Sequence, residues 1–291
     1  MRAQLLAWTA LVLSLGLLIA ACDGDDGGAP SPRPTVGVTS EDDDLGLPTM
    51  PTAPPLTPEN GTPGGVGLEW WGQSMFRLLS PRGADIAMDP FGDIGYRVPE
   101  PREVGVGLVT VSHEHPDHNN ISVTGARVVL RGLTVDGWAE IDERPTTDVR
   151  FRTVPSWHDD SQGSERGRNS IFVFETGGLR IVHLGDLGHR LTQAQIDAIG
   201  PVDVLLVPVG GLFTIDAAGA TAVMEQLRPR LTIPMHYKTE DVTIRELEPI
   251  DPFLEGKQVE RKNWGVTLYA DRLPPPSSGA VWVLEPKMAQ E

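Results

Sequence analysis

The stretch VSHEHPDHNN, residues 111–120, constrains this chain more than any other. Three of the seven histidines in 291 residues stand within six positions of it. Neutral imidazole adds no charge, so solubility does not account for the grouping. The preceding GLVTV, residues 107–111, is apolar and reads as a buried strand. Strand alternation sets His113 and His115 on one side, and Pro116 then breaks the strand. Asp117 and His118 follow on the turn, so four possible ligands converge from one short loop. Imidazole nitrogen and carboxylate oxygen suit Zn²⁺, and a cation removes the repulsion that clustered imidazolium groups would suffer.

Three parts are expected along the chain. Residues 1–22 carry Arg2, an apolar run over 5–21 and the sequence IAAC ending at Cys22, as in a secretory signal. IAAC resembles the lipobox of bacterial lipoproteins. That likeness implies a signal peptide over 1–22, lipidation at Cys22, and an extracytoplasmic, membrane-anchored lipoprotein of the bacterial cell envelope. Cys22 is the one cysteine, so the mature chain has no internal disulfide and no thiolate for catalysis or metal binding. Residues 23–65 hold eight acids against Arg33 alone, which is −7 of the net −16. Their Pro, Gly, Ser and Thr leave too little apolar surface to offset ordering, so a disordered acidic tether is expected. Residues 66–291 form the folded domain. Its acidity argues against nucleic acid as a partner.

Within that domain, residues 66–70, 75–79 and 84–88 read as consecutive antiparallel strands, and 126–130 and 148–154 as further strands. SIFVFETGGLRIVHLGD, residues 170–186, reads as a hairpin turning at Gly177 and Gly178. Residues 192–200 form a helix with the capping-box spacing of Thr192 and Gln195 and the staple spacing of Leu191 and Ile196. Residues 202–209 are apolar enough for a strand buried on both faces. A second helix over 216–227 presents Ala220, Val223, Met224 and Leu227 on one face. Residues 231–233, 266–270 and 280–284 are closing strands. Strands early and β-α-β units late make a mixed α/β domain.

His113-x-His115-x-Asp117-His118 resembles the signature of the metallo-β-lactamase superfamily of metallohydrolases. The likeness spans residue 65 to the C-terminus and implies an αβ/βα sandwich, two mixed β-sheets flanked by helices. It also implies three later ligands at strand ends, in the order His, Asp, His. The chain offers His158 in SWHDD, Asp186 in HLGDLGH and His236 in IPMHY. By resemblance, His113, His115 and His158 hold one Zn²⁺, and Asp117, His118 and His236 a second. Asp186 bridges the two. His183 is a rival ligand, but it lies three positions from Asp186 and so on the opposite face of an extended strand; it reads as a packed residue. Asp89 in MDPF matches an early strand-end aspartate of the family and is expected to orient a ligand loop by hydrogen bonding. Common β-lactamases carry cysteine where Asp186 stands, and iron-binding members carry glutamate where His115 stands. The resemblance therefore implies zinc and disfavours β-lactam cleavage.

The implied activity is hydrolysis by a water shared between two metals. Asp186 would fix the metal spacing and Asp117 take the proton from the attacking water. His189 either protonates the leaving group or is a surface histidine. GSERGRN, residues 163–169, either brings Arg166 and Asn169 to the pocket mouth, to meet an anionic or polar group, or is a solvated loop. PVGGLFT, residues 208–214, either lines the pocket with backbone amides or only turns. Tyr237 and Lys238 follow a ligand and are candidates for substrate contact. LEWWGQSMFRLLS and MDPF resemble a subgroup of L-ascorbate-6-phosphate lactonase-like and N-acylphosphatidylethanolamine phospholipase D-like proteins. This implies an ester, lactone or phosphodiester in a small-molecule or lipid-like substrate. Nucleic-acid-processing members carry a large inserted domain for which too few residues separate Asp186 and His236. The alternative is a surface-tethered zinc-binding or ligand-sensing module without significant turnover, because fold alone does not give function.

Overall fold

In chain order the strands are β1 (Val66–Gly72), β2 (Met75–Leu79), β3 (Asp85–Met88), β4 (Leu108–Val111), β5 (Val128–Arg131), β6 (Asp142–Glu143) and β7 (Arg150–Trp157). They continue as β8 (Arg168–Thr176), β9 (Leu179–His183), β10 (Val204–Pro208), β11 (Leu231–Met235), β12 (Gln258–Lys262), β13 (Gly265–Leu268) and β14 (Ala280–Leu284). The helices are α1 (Pro101–Val104), α2 (Gln193–Ile199), α3 (Ala217–Leu227) and α4 (Asp251–Leu254). The computed structural model describes residues 45–48 and 64–289. The signal over 1–22, Cys22 and most of the expected tether lie outside the described residues.

Two mixed sheets form, in the orders β13-β1-β2-β3-β4-β5 and β12-β14-β11-β10-β9-β8-β7-β6. Alternation along the first sheet explains how its two faces are used. Leu68, Trp70, Phe76, Leu78 and Met88 face a core shared with Phe151, Phe172, Phe174, Leu206 and Ile233 of the second sheet. The alternate residues Trp71, Met75, Ala87 and Val109 face outward. They are covered by Phe91, Ile94, Tyr96, Val104, Val242 and Leu247, which lie mostly on connecting segments rather than on a long helix. The outer layer of the second sheet is helical, with α2 against β7 and α3 against β10. Among the described residues no helix is long and apolar enough to cross a membrane.

Strand direction brings one edge of both sheets together chemically. β7 and β9 are each antiparallel to β8, and β9, β10 and β11 run parallel. Their C-terminal ends therefore share one edge. In the first sheet β3 and β4 are parallel, and β2 is antiparallel to β3, which puts the β1–β2 turn at the same end as the exits of β3 and β4.

Most elements match the expectations. α2 carries the full capping box, with Thr192 accepting from Gln195 N, and α3 starts at an Asp216 cap. β10 is buried throughout and sits between β9 and β11. β7 runs further than expected, to Trp157. The exposed edge strand β12, QVERK, has no apolar alternation to betray it. Within the expected tether, residues 45–48 are placed, and the Leu45 carbonyl accepts from the Trp157 indole at 2.9 Å.

Candidate metal centre

Five of the strands that end at the shared edge lead to a candidate ligand or its support. β3 delivers Asp89, β4 leads to His113, β7 ends at His158, β9 precedes Asp186 and β11 ends at His236. The side chains form two groups. His113, His115 and His158 offer ligand atoms within 4.8 Å of one another, and so do Asp117, His118, Asp186 and His236. Asp186 touches both. Its Oδ2 lies 3.1 Å from His118 Nε2, 3.2 Å from His158 Nε2, 3.3 Å from His236 Nε2 and 3.8 Å from His113 Nε2. His115 is exposed and Asp117 half-buried, so both stand at the mouth, while the other five ligands are buried.

Asp89 organises the ligand loop. Its Oδ1 accepts from Ser112 N at 2.8 Å, and its Oδ2 accepts from Ser112 Oγ and, at 3.0 Å, from His118 Nδ1. The Ser112 hydroxyl in turn lies 3.0 Å from His113 Nδ1. The Nδ1 atoms of His113 and His118 are thus engaged, which turns their Nε2 atoms to the cluster. Asp89, His113 and His118 form a third close group, but Asp89 spends its carboxylate on these bonds, as expected of an orienting residue.

Several supports were not legible in the sequence. Gln73, in the β1–β2 turn, donates from Nε2 to Asp117 Oδ2 at 3.0 Å. Its carbonyl accepts from His236 N at 3.1 Å and from the Trp70 indole at 3.0 Å. Three of the positive-φ non-glycine residues also stand here: Gln73, Asp89 and His236 have φ of 47°, 42° and 51°, values that non-glycine residues seldom adopt. Gly210 allows the β10 exit to pass the β11 exit, since a Cβ there would lie 2.2 Å from His236 O. PVGGLFT is therefore more than a turn. It makes room for the backbone of a ligand and brings Phe213 to the cleft. At Gly185, φ is +56° and a Cβ would meet Asn169 Oδ1 at 2.3 Å, which makes glycine necessary just before Asp186.

Three expected site residues have other settings. Asn169 is buried; its Oδ1 accepts from Asp186 N, and its Nδ2 donates to Ser156 Oγ and Leu184 O. Its amide is engaged in shaping the Asp186 loop, and it is not among the residues that line the cleft. Tyr237 is buried against Trp70, with ring centroids 5.3 Å apart, and does not line the cleft. Burial raises its pKa above the ordinary phenol value. His189 is buried, not at the surface; Nε2 accepts from Trp157 N at 3.1 Å and Nδ1 donates to Arg190 O at 2.7 Å. Burial lowers its pKa. Both ring nitrogens are engaged, and the Nδ1 proton is committed to the Arg190 carbonyl. It fixes the end of β7 before His158. Lys238 likewise binds Val242 O and Ile244 O instead of facing substrate. His183 packs as expected, with Nε2 on Ser74 O and Nδ1 accepting from Gly185 N. Arg166 does line the cleft.

Charge at the cluster is uneven. Burial lowers the pKa of His113 and His115, and neighbouring histidines add to the effect. Burial opposes charge on His118 and His236 as well, but Asp186 and Asp117 outweigh it. His118 is held well above its ordinary value and His236 is raised to about 9. Asp186 and Asp117 stay well below the usual carboxylate range, because the same histidines overcome the burial penalty. Of the atoms within the cluster, His118 Nε2 and Asp186 Oδ1 are buried without a well-formed hydrogen bond. Orphaned atoms of this kind are costly unless something binds them. An all-nitrogen-and-oxygen donor set with one carboxylate touching both groups fits divalent metal. A cleft of about 470 Å³ opens onto it, walled by Ile94, Pro116, Phe213 and Ile244.

Known proteins agree with this geometry. Residues 67–236 match the beta-lactamase superfamily domain family. A UPF0173 protein of Pyrococcus furiosus is 32% identical over 186 residues, covering 58% of this chain and 82% of that protein. A UPF0173 metal-dependent hydrolase of Thermococcus onnurineus is 30% identical over 199 residues, covering 60% and 85%. A crystal structure from Thermotoga maritima, described as a Zn-dependent hydrolase of the metallo-beta-lactamase superfamily, is 32% identical with a TM-score of 0.58. It covers 76% of this chain and 100% of that one. Fold, ligand order and relatives converge: the chain belongs to the metallo-β-lactamase superfamily and, within it, to the UPF0173 family of metal-dependent hydrolases.

Proposed function

We propose that the chain is a two-zinc hydrolase that cleaves an ester, lactone or phosphodiester in a small-molecule or lipid-like substrate, outside the cytoplasm on a Cys22 lipid anchor. One observation carries the reading: the ligands fall into two groups that both contact Asp186 Oδ2. His113, His115 and His158 would hold one ion and Asp117, His118 and His236 the other, with Asp186 between them. The absence of cysteine from the site favours zinc held by nitrogen and oxygen. When bound, such a pair supplies Lewis acidity and a water nucleophile at neutral pH.

The protein's own groups do the rest. Asp89 and Ser112 keep the His113 and His118 rings in one tautomer and orientation. Gln73 holds Asp117 through Oδ2, which leaves Oδ1 to take a proton from the attacking water. Ile94, Phe213 and Ile244 exclude water around the substrate's apolar part. The WWGQSM and MDPF stretches, likened to the lactonase-like and phospholipase D-like subgroup, support the choice of bond. They carry Gln73 and Asp89, both built into the site. A panel of lactones, p-nitrophenyl esters and bis-p-nitrophenyl phosphate, run on zinc-loaded protein, tests the reading. Metal-dependent turnover of at least one class is expected. Full zinc loading with no turnover of any class would favour the binding or sensing module instead.

A further inference from the structure

The polar loop between His158 and β8 is held from within. Asp159, directly after a ligand, is buried. Its Oδ1 accepts from Ser161 N at 2.9 Å, Ser161 Oγ at 3.2 Å and Gly163 N at 2.7 Å. Its Oδ2 accepts from Glu165 N at 3.1 Å and Arg166 N at 2.7 Å. His158 N bonds Gly167 O at 3.0 Å and closes the base. A largely polar segment is thereby wound about one carboxylate whose backbone directly follows the candidate ligand His158. The loop delivers Arg166 to the cleft, its guanidinium 5.9 Å from the centre of the Phe213 ring. Among the described residues lining the cleft, Arg166 alone carries a fixed positive charge. Its partner Glu165, 3.1 Å away, is 60% exposed, so the pair is weak and the guanidinium is free to exchange it for a ligand.

We propose that residues 159–167 are the recognition loop of this site: Asp159 is a positioning residue, and Arg166 selects substrates that carry an oxyanion, carboxylate or phosphate, beside an apolar group. A planar guanidinium matches either oxyanion in two-point contact, and Phe213, Ile94 and Ile244 supply the apolar side. The proposal rests on the hydrolase reading for its reaction but not for its ligand recognition.

The test compares p-nitrophenyl butyrate with mono-p-nitrophenyl glutarate on the zinc-loaded full chain. Arg166→Met is expected to raise KM for the glutarate ester roughly 10- to 100-fold more than KM for the neutral ester. Arg166→Lys should restore part of the loss. Asp159→Asn should show the same split more weakly, and the amides of residues 161–166 should lose protection from hydrogen exchange. Equal effects of Arg166→Met on both esters, or unchanged protection in Asp159→Asn, would overturn the proposal. Titration calorimetry with free glutarate and with phenyl phosphate separates this idea from the hydrolase reading and tells the two oxyanions apart. If neither ester is cleaved, a tenfold or greater loss of binding in Arg166→Met upholds the loop, and unchanged binding of both ligands sinks it.

Discussion

At the scale of single residues, the centre depends on side chains that touch no substrate. Asp89 is the plainest case, because one carboxylate fixes the His118 ring directly and the His113 ring through Ser112. Asp89→Asn should weaken zinc binding about 10- to 100-fold while the fold persists. Competition against a chromogenic chelator, with circular dichroism on the same sample, measures both. An unchanged affinity would mean that the histidines orient themselves. The seven candidate ligands that the fold gathers were legible in the sequence because metal chemistry permits few residue types at fixed spacings. Gln73 was not: a polar residue in a turn is unremarkable until the fold brings it to Asp117, 44 positions away. Asn169, Tyr237 and His189 are buried away from the cleft lining, which the sequence did not foretell. Each is polar and follows a candidate ligand along the chain, but sequence order does not say which side of the backbone faces the cleft.

At the scale of elements, the site is a property of strand ends. Amphipathic alternation and turn residues revealed nearly every strand that carries a ligand, and the capping box revealed α2. The exposed edge strand β12 and the short α1 and α4 lack a periodic apolar signal, so they escaped. α2 lies behind β7, the strand that ends before His158, and its start depends on Thr192. Thr192→Ala should cost about 1 kcal/mol and lower Tm by roughly 2–4 °C, without loss of bound metal. Thermal unfolding alongside metal analysis checks this. Metal lost at unchanged Tm would show that Thr192 serves the site rather than the helix.

At the scale of the whole molecule, folding gathers two carboxylates and five histidines at one edge, and their charges set how metal enters. In the metal-free protein His236 has its pKa raised to about 9 against an ordinary 6.5. A raised pKa stabilises the metal-free fold fully below about pH 6.5, and that contribution fades as pH rises through about 9. Metal needs the neutral ring. Uptake between pH 7 and 8 should therefore release protons from the Asp117, His118, Asp186 and His236 group, and affinity should climb with pH toward 9. His113 and His115, with lowered pKa values, should add few protons. Calorimetry in two buffers of different ionisation enthalpy reads the release directly, and identical heats in both would contradict it.

If Asp186 joins two metal sites, elemental analysis of full-length protein purified without chelator will show it, with Asp186→Ala measured beside it. About two zinc ions per chain, falling to about one or fewer in the variant, is the expected result. One ion or none in the unaltered protein after zinc is offered, or two retained by Asp186→Ala, would contradict it.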